Sequence, residues 1–426
     1  MITNEMYKWG GWSKRTLEYI RDSNAFLNIS VGAIRSAKTI SSLARWQVFL
    51  GETDHTKFSM IGVTMGALER NVIEPFMSML ELEGVPYDYK PAKQKLYVDD
   101  RSIALFGLDK ANAEKKIQGY SSAGTFIDEL TTIPQESFEM ALTRNSDTGA
   151  MIFATCNPAN PNHYVYKDYI LKEKVKQGSV KVFKFQIEDN VNLSTDYINH
   201  LKQLYPKDSL FYKRYILGQW VSGQGAIYDK FTNENIYSKT FPLDYYDYIE
   251  VGSDYGTSTT TCYEVIGIKE YKDHTRYDVI HEYGYDAKRE GVTQTDAERV
   301  EDIYQLQQQY GLGEDNIFHV SHDAASLLSA LEKDERITMT LETFTPNTLE
   351  CIQEISSLFY QNYLRIHDSC TETIKQIKGY EWDMKAAQKG IDKPVKKDDH
   401  YPDAIRAPIM NHLYHEDEVY SELVYL

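Results

Sequence analysis

An apolar run, a glycine-bearing loop and an amphipathic stretch follow one another between Phe26 and Leu50, "FLNISVGAIRSAKTISSLARWQVFL". No other feature constrains the fold as much. "FLNISV" (26–31) is short and apolar, as a buried strand is, and Ile40, Leu43, Ala44, Val48 and Phe49 recur at roughly helical spacing after the loop. A strand that turns directly into a helix aims the first N–H groups of that helix at one point above the sheet, where an anion is favoured. Gly32, four residues, then Ala37-Lys38-Thr39 approach the phosphate-loop pattern of Gly, four residues, Gly-Lys-Ser/Thr. Ala37 stands where the second glycine is usual; it narrows the backbone's latitude but removes no donor. Lys38 offers an ammonium for terminal phosphates, and Thr39 a hydroxyl for Mg²⁺. Gly32, Arg35, Ser36, Ala37, Lys38 and Thr39 are therefore the expected nucleotide-holding residues. Taken alone, the loop is equally compatible with a lysine that starts an ordinary surface helix.

Downstream residues favour the first reading. "AGTFIDEL" is an apolar strand that ends at Asp128 and Glu129. A Mg²⁺-dependent ATPase needs this: Asp128 to orient the Mg²⁺ shell and Glu129 to polarise the attacking water. "GAMIFATCNP" repeats the design, ending at Asn157-Pro158. Apolar strands alternating with helices predict an α/β fold with a mostly parallel sheet. Arg35 adds a cation beside the γ-phosphate, where transition-state charge accumulates, and Arg144 in "ALTRNSD" is the alternative arginine.

Around 218–248 the periodicity breaks into Gly, Asn, Tyr and Asp, which predicts a linker over 223–246 between domains spanning 1–222 and 247–426. The second region opens with a hairpin, "YIEVGSDYGTSTTTCYEVIGI", and closes with "DHYPDAIRAPIMNHLYH", a helix opened by Pro402 and bent by Pro408. Asp254 and Asp323 follow apolar strands, Glu282 ends "YDVIHE", and Asp403 lies on the late helix, three residues after His400. Separated carboxylates at strand ends and on one late helix are how an RNase H-like fold with a mixed sheet builds a two-metal site for Mg²⁺ or Mn²⁺. Asp254, Asp323 and Asp403 are the expected catalytic and metal-ligating residues, with Glu282 a further ligand. His400 is a ligand, a proton carrier at the leaving oxygen, or a residue that orients a carboxylate.

At 426 residues the chain is long enough for two or three cores. It has no run of about 18 apolar residues that could span a membrane. "MITNEMYKWGGWSK" carries no secretion signal. Four scattered cysteines form no CxxC pair, which fits neither zinc nor a disulfide framework and points to a reducing cytosol. The net charge of −17 excludes a passive nucleic-acid coat, but not an enzyme with a local basic groove.

In this order the motifs resemble the large terminase subunit of tailed bacteriophages, most closely the branch in phages and prophages of Gram-positive bacteria. The likeness covers nearly the whole chain. It rests on an arginine-bearing loop "GAIRSAKT", "TFIDEL" preceded by "KKIQGYSSAG", and the coupling motif "ATCNP" at Thr155, Cys156, Asn157 and Pro158. Gly252, Asp254 and Gly256 match G-x-D-x-G; Asp399, His400, Asp403, Ala404 and Arg406 match DH-x-x-D-A-x-R. "APIM" replaces the usual aromatic after Arg406, so a local bend is expected. The resemblance implies an N-terminal ASCE-type P-loop ATPase domain, with Thr155 and Asn157 sensing the γ-phosphate, and a C-terminal RNase H-like nuclease domain. ATP with Mg²⁺ would drive the motor, and two Mg²⁺ or Mn²⁺ ions would serve the nuclease. The implied partners are double-stranded viral DNA, the portal protein of the procapsid, the small terminase subunit and further copies in a ring, expected to be a pentamer. The expected location is the host bacterial cytoplasm, without membrane attachment. Basic residues at 172–184 and 393–397, with Lys202, Lys207, Lys213 and Arg214, are candidates for the DNA path or ordinary solvated faces. The rival readings are a helicase-nuclease of repair or defence, and a portal-docking structural protein with a degenerate ATPase.

Overall fold

The computed structural model describes residues 11–108, 114–173, 178–256, 259–321, 324–343 and 347–414. The chain divides into two compact units, Met1–Ser222 with Lys385–Ile391, and Gly223–Met384 with Asp392–Leu426.

The first unit is built on a sheet of β1 (Leu27–Gly32), β2 (Lys57–Gly62), β3 (Tyr87–Lys90), β4 (Lys95–Val98), β5 (Arg101–Gly107), β6 (Gly124–Ile127), β7 (Met151–Cys156) and β8 (Val180–Phe185). Their order is β3-β4-β5-β2-β6-β7-β1-β8. From β5 to β8 all neighbours run parallel, and only the β3–β4–β5 edge is antiparallel. Every residue of β1 and β6 is buried, as expected where both faces of a parallel sheet are covered. β7 lies between the loop strand β1 and the acidic strand β6, which is the strand order of an ASCE-type ATPase.

The helix Lys38–Glu52 covers one face of this sheet. Its Trp46 is fully buried, with Phe58, Phe126 and Phe153 edge-on at 5.8, 6.2 and 6.0 Å. Truncating such a ring costs about 3–5 kcal/mol, so this contact fixes the helix, and the loop before it, against the sheet.

The second unit has a sheet of β9 (Ile236–Tyr237), β10 (Tyr248–Asp254), β11 (Thr260–Glu270), β12 (Thr275–Asp286), β13 (Ile317–Val320), β14 (Thr340–Thr343) and β15 (Leu364–His367). The order is β14-β13-β10-β11-β12-β15-β9. β10, β11 and β12 form an antiparallel meander with parallel strands on both sides, the mixed sheet of an RNase H-like fold. The helix Asp296–Tyr310 starts at a Thr295/Glu298 capping box and stops at Gly311, where φ is +60°.

Residues 223–246, expected as a linker, are folded into this unit. Ile227 and Tyr228 are buried, Tyr228 stacks on Tyr380 at 5.7 Å, and β9 pairs with β15. The segment lacks a period because its backbone is irregular, but its aromatic side chains still find an apolar surface.

The late helix runs over His400–Ala404, breaks at Ile405 and resumes at Arg406. Pro408 has no N–H to offer the Ala404 carbonyl, which accounts for the break. A Cβ on Gly252 would lie 1.9 Å from that carbonyl oxygen. Only glycine, two residues before Asp254, lets this helix sit directly on β10.

All four cysteines are free and buried. No helix among the described residues is long and apolar enough to cross a membrane.

Candidate functional site

Two clusters carry chemistry, one in each unit. In the first, the turn after β1 is pinned from outside: Ala33 N–H donates to Phe185 O, Ile34 N–H to Tyr215 O, and the Asn190 amide to Arg35 O at 2.8 Å. A Cβ on Gly32 would lie 1.8 Å from Phe185 O, so no side chain fits there. Arg35 and Ala37 both take left-handed backbone conformations, with φ of 53° and 64°. Among the described residues, the N–H groups of Arg35, Ser36 and Ala37 have no hydrogen-bond acceptor. These orphaned donors, beside a lysine, fit a phosphate group.

The left-handed turn explains why a glycine is usual at position 37, and alanine there is strained. Ala37→Gly should raise the unfolding free energy by about 1 kcal/mol without loss of nucleotide binding, read from urea denaturation of the whole protein. Lower stability would show that the turn is not left-handed at Ala37.

The Lys38 ammonium donates to Gly32 O at 3.3 Å and to Asn157 Oδ1 at 2.9 Å. Burial lowers its pKa below the ordinary lysine range, while Glu129 and Asp128 oppose that shift. Asn157 Nδ2 donates to both Glu129 oxygens at 3.2 and 3.4 Å. Asn157 therefore bridges the lysine and the glutamate. Thr155, two residues earlier on β7, donates to Asp128 Oδ1 at 2.7 Å and accepts the Glu129 N–H at 3.1 Å. Asp128 is buried, and that burial raises its pKa, with Thr155 and Lys38 opposing. Glu129 has a φ of 50°, a strained backbone of the kind that clusters at functional sites. Thr39 is half-buried at the second position of the helix, and the Arg35 side chain is exposed beside the loop. Strand order brings Lys38, Asp128, Glu129, Thr155 and Asn157 together. The residues that hold the turn, Phe185, Asn190 and Tyr215, carried no sequence signal, because a backbone carbonyl or a lone asparagine looks the same wherever it stands.

In the second unit a cavity of about 500 Å³ is lined by Asp254, Asp286, Lys288, Lys396, Asp399, His400 and Asp403, among others. Asp254 Oδ2 lies 2.6 Å from His400 Nδ1. Burial pushes the Asp254 carboxyl above its usual range; His400 opposes this and Asp403 adds to it. The Asp254 bond in turn raises the His400 pKa. Asp403 Oδ1 is held by Arg406 at 2.8 Å and by the Tyr380 hydroxyl at 3.3 Å, while Oδ2 faces the Lys396 ammonium at 3.1 Å. Among the described residues Asp254 Oδ1 is thus left without a partner, and Asp403 Oδ2 meets only the exposed Lys396 ammonium. Hard oxygen donors in a cavity whose burial and like charge raise a carboxyl pKa fit a divalent cation.

The structure relocates Glu282. It accepts from the N–H groups of Glu372 and Thr373 at 3.0 and 2.8 Å, and so caps the helix Thr371–Gly379. Register is the reason: Asp254 pairs with Cys262 and Cys262 with Gly284, so Glu282 lies level with Gly252. Glu282 and the fully buried Glu264 contact the same Thr373 hydroxyl, Glu282 Oε2 at 2.7 Å. Burial pushes the Glu264 carboxyl well above the usual carboxylate range; the Thr373 hydroxyl opposes that shift and Glu282 adds to it. Asp323 lies outside the described residues. Arg214, a candidate for the DNA path, is buried with its guanidinium on Val221 O at 2.9 Å. Lys202 is paired with Glu188 at 2.6 Å. Lys396, within the basic run 393–397, lines this cavity, and Tyr380 is a site residue that no motif singled out.

The large terminase from a thermophilic bacteriophage is 30% identical in sequence to this chain; the match covers 93% of this chain and 98% of that one, with a TM-score of 0.83. The same phage protein in complex with ATP-γ-S matches at 29% identity and a TM-score of 0.82, over the same shares of both chains. Its ADP complex matches at 29% and 0.83. A family description, the N-terminal part of the T4likevirus-type large terminase subunit, matches residues 74–234. No curated protein sequence matches the chain. The architecture is that of a motor ATPase joined to a nuclease. The chain belongs to the large terminase family, the enzymes of DNA packaging in tailed phages, with ATPase and nuclease activities. The helicase-nuclease and structural-protein readings are not favoured.

Proposed function

We propose that residues 1–222 hydrolyse ATP to translocate double-stranded viral DNA into a procapsid, and that residues 247–426 cut concatemeric DNA. The Lys38–Asn157–Glu129 bridge carries the motor reading, because it joins the phosphate-sensing lysine to the water-polarising carboxylate through one side chain. The phage relative's structures in complex with ADP and with ATP-γ-S support nucleotide binding. The loop N–H groups and Lys38 hold the phosphates, and Thr39 and Asp128 hold the accompanying Mg²⁺. Glu129 takes a proton from the attacking water. Arg35, exposed at the loop, meets transition-state charge, and Thr155 and Asn157 sense the γ-phosphate.

In the nuclease half, Asp254 and Asp403, with Asp323, hold two Mg²⁺ or Mn²⁺ ions. When bound, these ions supply positive charge to the attacking and leaving oxygens of the phosphodiester. His400 orients Asp254, and Arg406 and Tyr380 orient Asp403. The motor works as a pentameric ring on the portal protein in the host cytoplasm, with DNA presented by a small terminase subunit.

The test is nucleotide binding by the full chain. ATP-γ-S should bind the parent, and Lys38→Ala should weaken it at least about tenfold, since the ammonium is the main charge facing the phosphates. Equal affinity would remove the P-loop assignment.

A further inference from the structure

Lys396 sits where a cation is expected. Its ammonium lies 3.1 Å from Asp403 Oδ2 and 3.1 Å from Asp399 Oδ2. The first of these is the oxygen that Arg406 and Tyr380 leave available for a divalent ion. The second belongs to a carboxylate only 7% exposed, whose Oδ2 makes no hydrogen bond of good geometry; the Lys396 charge is what faces it. The lysine side chain itself is 71% exposed and reaches into the cavity from the solvent side. It is therefore free to leave, whereas Arg406, at 8%, is not. Lys288 and Lys397 line the same cavity among its aspartates, so a DNA phosphate that reaches it meets lysine ammonium groups there.

We propose that Lys396 is an electrostatic interlock of the cleavage site: it occupies Asp403 Oδ2 in place of a divalent ion until a DNA phosphate draws it away. An ammonium 3.1 Å from Asp403 Oδ2 and a divalent ion on the same oxygen repel each other at close range, so they compete. A phosphate at the cavity mouth offers Lys396 a second anion, and its departure opens the metal position. Metal loading is then coupled to DNA binding, and the two must strengthen each other equally. A motor that handles DNA continuously would in this way keep its nuclease unloaded until duplex enters the cavity. Lys396 is a positioning residue. This inference rests on the two-metal reading above.

The experiment measures Mn²⁺ binding to the full chain by electron paramagnetic resonance, counting only binding that Asp254→Asn removes. Without DNA, Lys396→Gln should bind Mn²⁺ about tenfold more tightly than the parent, as removal of one competing and largely exposed charge implies. A short, non-cleavable duplex should tighten Mn²⁺ binding to the parent and do so much less in Lys396→Gln. Lys397→Gln, whose ammonium pairs instead with Asp398 at 3.8 Å, should match the parent without DNA, which excludes a general charge effect. An unfolding curve of the full chain that matches the parent's reports that each variant is folded. Unchanged Mn²⁺ affinity in Lys396→Gln, or an equal gain in Lys397→Gln, overturns the interlock and leaves the metal site standing. Absence of any Asp254-dependent Mn²⁺ binding, with or without duplex, overturns the two-metal reading and the interlock with it.

Discussion

Glu129→Gln should bind ATP-γ-S as the parent does and lose ATP turnover by roughly 10²–10⁴-fold. The substitution keeps the shape of the side chain and its contact with Asn157 Nδ2, 3.2 Å from Oε1. It leaves Lys38 and the loop N–H groups untouched, so the phosphate cradle survives. It removes the negative charge that takes the water proton. Asp128 cannot substitute, because it is buried and bonded to Thr155 at 2.7 Å. Phosphate release and equilibrium binding, measured on the same preparation, separate the two effects. Turnover at the parental rate would move the general base elsewhere, whereas a parallel loss of binding would mean that the variant had disturbed the loop.

The second large effect belongs to the nuclease. Asp254→Asn should abolish plasmid cleavage with either Mg²⁺ or Mn²⁺, a loss of at least about a thousandfold for several kcal/mol of missing charge stabilisation. His400, 2.6 Å from Asp254 Oδ2, would lose the carboxylate that raises its pKa, so its proton affinity should fall as well. ATP hydrolysis should be unaffected. The assay needs the full chain, because a fragment cut at residue 240 would lose β9 and the buried Tyr228. Cleavage that persists after chelation, or full activity in Asp254→Asn, would remove the metal-dependent nuclease.

What was legible in the sequence was local. The strand–loop–helix around Gly32, the Asp128-Glu129 strand end and the Thr155–Asn157 motif each join residues adjacent in the chain. Their geometry follows from short-range rules: apolar runs make buried strands, and a helix start presents N–H groups. The bend near Pro408 was readable for the same reason. The hairpin after Tyr248 was likewise written in alternating apolar residues.

Glu282 shows where such reading ends. It stands at an apparent strand end, as Asp254 does, yet pairing register sets it level with Gly252. A shift of two residues along a strand keeps a side chain on the same face but moves it by about 7 Å. No periodicity within one strand reports its register against another. The same limit hid Tyr380 behind Asp403, Asn190 behind Arg35, and the burial of Arg214. The aromatic segment 223–246 reads as a linker because composition records irregular backbone and says nothing of the surface on which Ile227 and Tyr228 are buried.

The chain's order of strands, loops and acidic ends was thus decided by residues near one another in sequence, where propensity and hydrogen-bond chemistry act directly. Which oxygen of Asp403 stays available, which cation faces it, and which glutamate caps a helix were decided only when distant segments packed, because distance and desolvation set those interactions and neither is a property of a linear string.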